Sequence, residues 1–396
     1  MMPHSQSSTE FRIRPRRSIF WIGAIAASLA LGSGPAPAAL PSIDTSAKQA
    51  ILIDYDTGAV LYAKNADDKM PPSSMAKMMT LYILFQRIKE GRVKKDDTMA
   101  VSERAWRTGG SKMFVKIGSR VSVEDLIQGI AVQSGNDACI VVAEGLDGSE
   151  DAFAQEMNKT AKDLGLTNSH FTDSSGLPDP NQYVSARDLA ILGQRLIHDF
   201  PNEYHVFSEI DFNYNGIKQG NRNPLLYKSV NVDGIKTGHT DAGGYGLTAS
   251  AKRDERRLIL VINGMNSVNE RSRESEKLLD WGFREWANYS LFKAGDKVDD
   301  AQVWLGVKPT VALVVDRNLI ATMPHLDRDQ MKVKVRYDGP IPAPIAQGTV
   351  VGKVTVETPD TPTVELPVKA GESVERLGFF GRIGAAFTQL LWGPAK

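Results

Sequence analysis

Strand-like segments stand at both ends of a long stretch of helical spacing, and this order constrains the fold more than any other feature. Residues 49–62 (QAILIDYDTGAVLY) read as two strands around a turn at Asp56-Thr57-Gly58. Residues 246–251 and 258–264 read as two more, flanking a charged turn at 252–257. Between them, Pro71-Pro72-Ser73-Ser74 opens a helix with Met78, Leu81, Tyr82 and Phe85 on one face and Gly91 as its stop. The apolar runs 126–132 and 138–143 predict buried helices interrupted by the polar turn Ser134-Gly135-Asn136, and 187–198 predicts an amphipathic helix. A further helix is expected over 273–286. Strands, then helices, then strands build a sheet with a helical insert, an α/β (α+β) domain in which an antiparallel sheet meets a helical cluster.

The texture changes near residue 292. Met331, Val333, Val335 and Tyr337 alternate with Lys332, Lys334, Arg336 and Asp338, and Val364, Leu366 and Val368 repeat the pattern. That period of two predicts a small all-β domain over 293–374. Over 375–396 the spacing is helical again, with Phe380, Ile383, Phe387, Leu390 and Leu391 on one face. Such a helix either packs on its own β domain or lies in the outer face of a membrane. Its aromatic and leucine content, at the end of an exported chain, favours the membrane surface. Residues 1–38 read as a signal peptide: Arg12, Arg14, Arg16 and Arg17, then the apolar run 19–31, then Ala36-Pro37-Ala38. The apolar run is well short of the ~20 residues that a membrane span needs. Arg16-Arg17 hints at twin-arginine export, although the residues after it fit that pattern poorly. The main domain then occupies 39–292, outside the cytoplasm.

Charge and cysteine use exclude several functions. Lys+Arg and Asp+Glu are both 47, and removing the leader leaves 43 basic and 46 acidic residues. A dedicated nucleic-acid binder shows a basic excess instead. The single cysteine, Cys139, forms no internal disulfide and reads as a small buried side chain. The histidines are scattered and H-E-x-x-H is absent, so neither a metal nor a cofactor is expected.

Three short motifs carry chemistry. Ser74-Met75-Ala76-Lys77 has the form S-x-x-K, which a chain of this size shows about once or twice by chance. The second copy, Ser290-Leu291-Phe292-Lys293, lies past a helix end with nothing to complete a site. Ser74 instead opens a helix, where unpaired N–H groups favour negative charge on its oxygen, and Lys77 shares its face. Ser134-Gly135-Asn136 lies in a polar turn between apolar runs. Lys236-Thr237-Gly238, on a strand edge, is a tripeptide expected only about 0.1 times by composition.

With these motifs in this order, the chain resembles the penicillin-binding proteins and class A β-lactamases, specifically the low-molecular-mass D-Ala-D-Ala carboxypeptidases. The resemblance runs from about Ala50 to the C-terminus and includes the strings QSGNDAC (133–139) and DGIKTGHTD (233–241). Arg187-Asp-Leu-Ala190, Pro201-Asn-Glu-Tyr204, Asn221-Arg-Asn223 and Trp281-Gly-Phe283 belong to it as well. It implies a transpeptidase-like fold and removal of the terminal D-alanine from peptidoglycan stem peptides, with β-lactams as covalent inhibitors. Ser74 is then the nucleophile, Lys77 its general base if burial and Lys236 hold it neutral, and Ser134 a proton shuttle to the leaving nitrogen. Asn136 would hold the substrate amide, and the backbone N–H groups of Ser74 and His239 would form the oxyanion hole. Lys236, Thr237 and Arg271 would face the leaving group's carboxylate, with Arg273 an alternative to Arg271, and Gly238 and His239 complete the substrate-binding set. His239 shapes the strand edge through its backbone. Some relatives carry a histidine where Ser175 stands.

Other activities on this framework leave different marks. A class A β-lactamase needs a glutamate-bearing E-x-x-L-N segment, which does not follow Ser134-Gly135-Asn136. DD-endopeptidase relatives generally lack the extra β domain, and a non-catalytic wall-binding protein has no need of Ser74, Lys77, Ser134 and Lys236. The expected location is the periplasmic face of the inner membrane.

Overall fold

The computed structural model describes residues 5–11, 42–228, 231–359, 361–381 and 383. They form two compact units, one spanning Ser42–Arg284 and the other built on the chain from Glu285 onward with the N-terminal strand.

In the first unit, five antiparallel strands lie in the order Val60–Lys64, Gln49–Asp54, Arg256–Met265, Gly244–Arg253, Val232–Thr240. The predicted strand pairs at both ends of the helical stretch meet in this sheet, where Ile51 faces Val261 and Leu52 faces Leu260. The strands reach further into the charged segment than expected, through Arg253 and again from Arg256, so the turn is only Asp254-Glu255. The strand Val232–Thr240, which carries Lys236-Thr237-Gly238, lies at one edge.

Helices α1 (Lys77–Lys89), α2 (Glu103–Arg107), α3 (Val123–Ala131), α4 (Asn136–Asp147), α5 (Glu150–Asp163) and α6 (Ala186–Asp199) form the insert. Every residue of α1 from Lys77 to Phe85 is buried, which makes it the centre of the cluster rather than a surface helix. Ser102, Ser122, Ser149 and Ser185 cap α2, α3, α5 and α6 by accepting a backbone N–H, each worth about 1 kcal/mol. Helix α4 starts from Gly135 with no such cap from its N-cap residue. Helix α7 (Val268–Glu285) begins five residues before the apolar periodicity does, because Ser267 Oγ accepts the Glu270 N–H at 3.1 Å and starts it there.

The second unit is all-β. A seven-stranded sheet runs Ser5–Phe11, Lys332–Gly339, Val350–Glu357, Val364–Ala370, Thr310–Val314, Lys297–Trp304, Ile341–Pro342. Val333, Val335, Val354, Val356, Leu366 and Val368 form its buried face, as the alternation predicted. Trp286–Phe292 pairs with Leu319–Pro324, so strand structure begins at Trp286 rather than at 293. Ser5–Phe11, expected to lie outside the fold with the rest of the leader, pairs antiparallel with Lys332–Gly339. Backbone groups at a sheet edge accept such a polar strand without apolar side chains. At the other end, Glu375 and Leu377 bond by backbone to Val307 and Leu305, so helical structure begins at Phe379, not at 375. The remainder of the expected leader, and residues 384–396 of the expected tail helix, lie outside the described residues. Among the described residues no helix is long and apolar enough to cross a membrane.

Candidate active site

A cleft of about 440 Å³ opens in the first unit, lined by Ser74, Ser134, Thr237, Gly238, His239 and Arg271 among the predicted residues. Ser74 is the second residue of a 3-10 turn, Ser73–Ala76, that runs into α1. Side chains three apart eclipse in a 3-10 turn, so S-x-x-K spacing stands Lys77 over Ser74. Lys77 Nζ lies 3.1 Å from Ser74 Oγ and donates to Asn136 Oδ1 at 2.7 Å and to the Ser175 carbonyl at 2.5 Å. Lys77 is wholly buried, and burial pushes its pKa down from the ordinary lysine value, with Arg222 adding to the effect and Asp173 and Asp137 opposing it.

Ser134 sits in the left-handed region at φ 66° and is 1 % exposed. Among the described residues its Oγ has no hydrogen-bond partner. An unpaired buried hydroxyl costs about 1–3 kcal/mol, so this position is unfavourable for stability. Asn136 Oδ1 accepts from Lys77 Nζ, and its Nδ2 donates to the Gly109 carbonyl at 2.8 Å. In this arrangement Asn136 orients the lysine. Its neighbour Asp137 accepts the backbone N–H groups of Met113, Phe114 and Val115, which fastens the segment carrying Ser111 to the start of α4.

A loop at 173–177 closes the site around Lys77. Asp173 Oδ1 accepts the N–H groups of Ser175 and Gly176 and the Ser175 hydroxyl, and Thr80 Oγ1 donates to the Ser174 carbonyl. Glu150 accepts from Ser174 Oγ at 2.7 Å and from Arg104 at 2.5 Å. At Gly176 (φ 82°) a Cβ would stand 1.8 Å from the Ser73 carbonyl oxygen. The loop presents the Ser175 carbonyl to Lys77.

On the opposite strand, a Cβ at Gly238 would meet Ser73 Cβ at 3.0 Å, so a glycine lets the strand approach the nucleophile's turn. Lys236 is 2 % exposed and donates to the Thr237 carbonyl at 3.3 Å. Burial first, then the charges of Lys77 and Arg222, hold its pKa well below the ordinary value. It is not among the residues that line the cleft. Arg271 is 4 % exposed, lines the cleft and has its pKa pushed down to about 10 by burial. Its Nη1 donates to the Gly246 carbonyl at 3.2 Å, while Nε has no partner among the described residues. Arg273 is exposed and does not line the cleft. The His239 ring is exposed and stacks on Tyr245. Cys139 is buried, its thiol pushed up to about 12 by burial.

Sequence reasoning assigned no role to Ser111, Arg222, Tyr245 or Val268, which also line the cleft. Arg222 lies within the string Asn221-Arg222-Asn223, so a signal was present for it; the others occupy segments without a motif. Two carbonyl oxygens and one hydroxyl around a buried amine, facing an unpaired serine hydroxyl and a buried arginine, suit acyl transfer from a substrate that ends in a carboxylate.

Comparison with known proteins shows the family. A family model described as D-alanyl-D-alanine carboxypeptidase matches residues 36–267, and one described as penicillin-binding protein 5, C-terminal domain, matches 286–376. The chain is 42% identical over 352 residues to D-alanyl-D-alanine carboxypeptidase DacA of Escherichia coli K12, covering 87% of each chain. It is similar to the crystal structure of penicillin-binding protein 5 from Haemophilus influenzae at 39% identity and TM-score 0.80, covering 85% of this chain and 100% of that one. Penicillin-binding protein D2 of Listeria monocytogenes, solved in an ampicillin-bound form, matches at 29% identity and TM-score 0.57 over 61% of this chain and 99% of that one.

Proposed function

The chain belongs to the D-alanyl-D-alanine carboxypeptidase family, and from that premise we propose how its own residues carry the reaction. The protein is a serine-type D-Ala-D-Ala carboxypeptidase. Ser74 Oγ attacks the carbonyl between the two terminal D-alanines of a peptidoglycan stem peptide, and Lys77 accepts the hydroxyl proton. The observation that carries this assignment is the set of three oxygens around Lys77 Nζ. A neutral amine has two N–H groups and one lone pair. The carbonyls of Asn136 and Ser175 accept the two N–H groups, which aims the lone pair at Ser74 Oγ. Burial favours that neutral form.

The tetrahedral oxyanion is held by the backbone N–H groups of Ser74 and His239. The proton on Lys77 passes through Ser134 to the leaving nitrogen, the C–N bond breaks and D-alanine departs with its carboxylate against Arg271 and Thr237. Water then hydrolyses the ester on Ser74. The same hydroxyl opens a β-lactam ring and remains acylated, in keeping with the ampicillin-bound relative.

Two features support a location outside the cytoplasm. Residues 1–38 direct export and are removed, consistent with a family match that begins at residue 36. The strand Lys332–Gly339 then becomes a sheet edge, and Lys332, Lys334 and Arg336 supply the charge that blunts such edges. Residues 375–396 attach the enzyme to the periplasmic face of the inner membrane; Phe379, Phe380 and Ile383 at the start of that segment are exposed.

To test this function, residues 39–396 are incubated with a peptide ending in D-Ala-D-Ala and, separately, with a labelled penicillin. Release of free D-alanine together with a long-lived label on the protein is expected. Rapid penicillin turnover without D-alanine release would identify a β-lactamase instead.

A further inference from the structure

Arg271 is unusual for a buried arginine in having no carboxylate partner among the described residues. Its hydrogen bonds run to the carbonyls of Gly246 at 3.2 Å and Arg222 at 3.5 Å, and its Nε is buried and unpartnered among the described residues. Carbonyl bonds of that length hold a guanidinium loosely. A ring also stands beside it: the guanidinium carbon lies 5.7 Å from the centre of Tyr245, within the range where a cation is drawn to an aromatic face.

The ring is itself fixed. Tyr245 stands directly opposite His239 in the register of Val232–Thr240 against Gly244–Arg253, and the two rings stack with centroids 3.9 Å apart at 28°. Directly opposed side chains of an antiparallel pair are the ones that reinforce each other. The imidazole, the phenol and the guanidinium thus form a continuous column from the strand after Lys236-Thr237-Gly238 to helix α7, and all three residues line the cleft. The sequence string that carries Lys236-Thr237-Gly238 ends at Asp241 and does not reach Tyr245.

We propose that Tyr245 is a positioning residue for the leaving-group side: clamped by His239, its ring orients the Arg271 guanidinium toward the terminal carboxylate and so sets the preference for substrates with a free C-terminus. This rests on the assignment of Arg271 to the carboxylate. A flat aromatic face is required and the phenol oxygen is not. Orientation of the cation by the ring contributes to binding the acid and nothing to binding a neutral carboxamide.

The test compares kcat/KM for an acyl-D-Ala-D-Ala peptide and for the same peptide ending in a carboxamide, in the wild type and in Tyr245→Leu, Tyr245→Phe and Arg271→Gln. Tyr245→Leu is expected to lower the acid-to-amide ratio roughly 3- to 30-fold, the range a cation–ring contact supplies, mainly through KM of the acid. Tyr245→Phe should restore the ratio to near the wild-type value, and Arg271→Gln should collapse it further. If Arg271→Gln collapses the ratio while Tyr245→Leu leaves it unchanged, the positioning role is overturned and the arginine assignment stands. If Arg271→Gln leaves the ratio unchanged, the arginine assignment fails and this inference with it. A Tyr245→Leu protein that loses rate equally on both substrates is merely damaged in structure, which also overturns the proposal. Should Tyr245→Leu fail to fold, a Tyr245→Phe ratio reduced as far as that of Arg271→Gln would contradict the requirement for an aromatic face alone.

Discussion

Lys77 is a fully buried lysine whose neighbours are two carbonyl oxygens and a hydroxyl. Burial lowers its pKa, so the acylating fraction grows as pH rises through that lowered value and falls below it as the amine charges. The second-order rate of penicillin acylation should therefore climb with pH and level off below the ordinary lysine range. A wild-type profile that is flat from acid to alkaline pH would exclude a titrating base. Lys77→Met should reduce acylation by about 10²–10⁴, the usual contribution of a positioned base. Ser134 offers a sharper contrast. Its hydroxyl is buried and unpartnered among the described residues, so Ser134→Ala should leave the melting temperature unchanged or raised while acylation falls by a similar factor. A fall in both would make the hydroxyl structural. Among single residues, the three motifs led to Ser74, Lys77 and Ser134, which do converge at the cleft, Lys77 from beneath through its contact with Ser74. They led to Asn136 as well, but spacing shows only that an amide is near the site and not that its Oδ1 accepts from Lys77. Tyr245 and Val268 could not be anticipated, since each reaches the cleft only through the pairing of a strand or the start of a helix.

The elements explain why the site survives its own unfavourable groups. The loop 173–177 meets the turn Ser73–Ala76 so closely that Gly176→Ala would drive a Cβ to 1.8 Å from the Ser73 carbonyl oxygen. Overpacking plus the left-handed conformation should cost about 2–5 kcal/mol. Gly91→Ala, at φ 71° with nothing within 4 Å, is the control and should cost only about 1–2 kcal/mol. Chemical denaturation of the two variants measures the difference, and equal losses would mean that the close approach does not govern stability. Asp137→Ala would release the N–H groups of Met113, Phe114 and Val115, two of them buried, and should cost at least about 2 kcal/mol. Helical periodicity marked α1, α3, α4 and α6 well, because each buries one face or all of its length. It passed over α5, where Ser149 caps a helix with Phe153, Met157 and Ala161 four apart, a signal present in the sequence. It also placed the start of α7 too late, because the first turn is polar and is held by capping rather than by burial.

For the whole molecule, the change to period-two alternation showed that a β unit follows the enzyme unit, while its beginning at Trp286 was hidden because Trp286–Phe292 pairs with Leu319–Pro324 and not with its sequence neighbours. Deleting residues 375–396 should release the exported protein from membranes in a sedimentation assay and leave its soluble peptidase rate unchanged. Continued sedimentation with membranes would place the attachment elsewhere. All of these outcomes presuppose that one particular hydroxyl becomes acylated. The most direct check is peptide mapping by mass spectrometry of the protein trapped with penicillin. The adduct is expected on the peptide containing Ser74, at one per chain, and absent from Ser74→Ala. An adduct on any other residue, or an undiminished one in Ser74→Ala, would contradict the account.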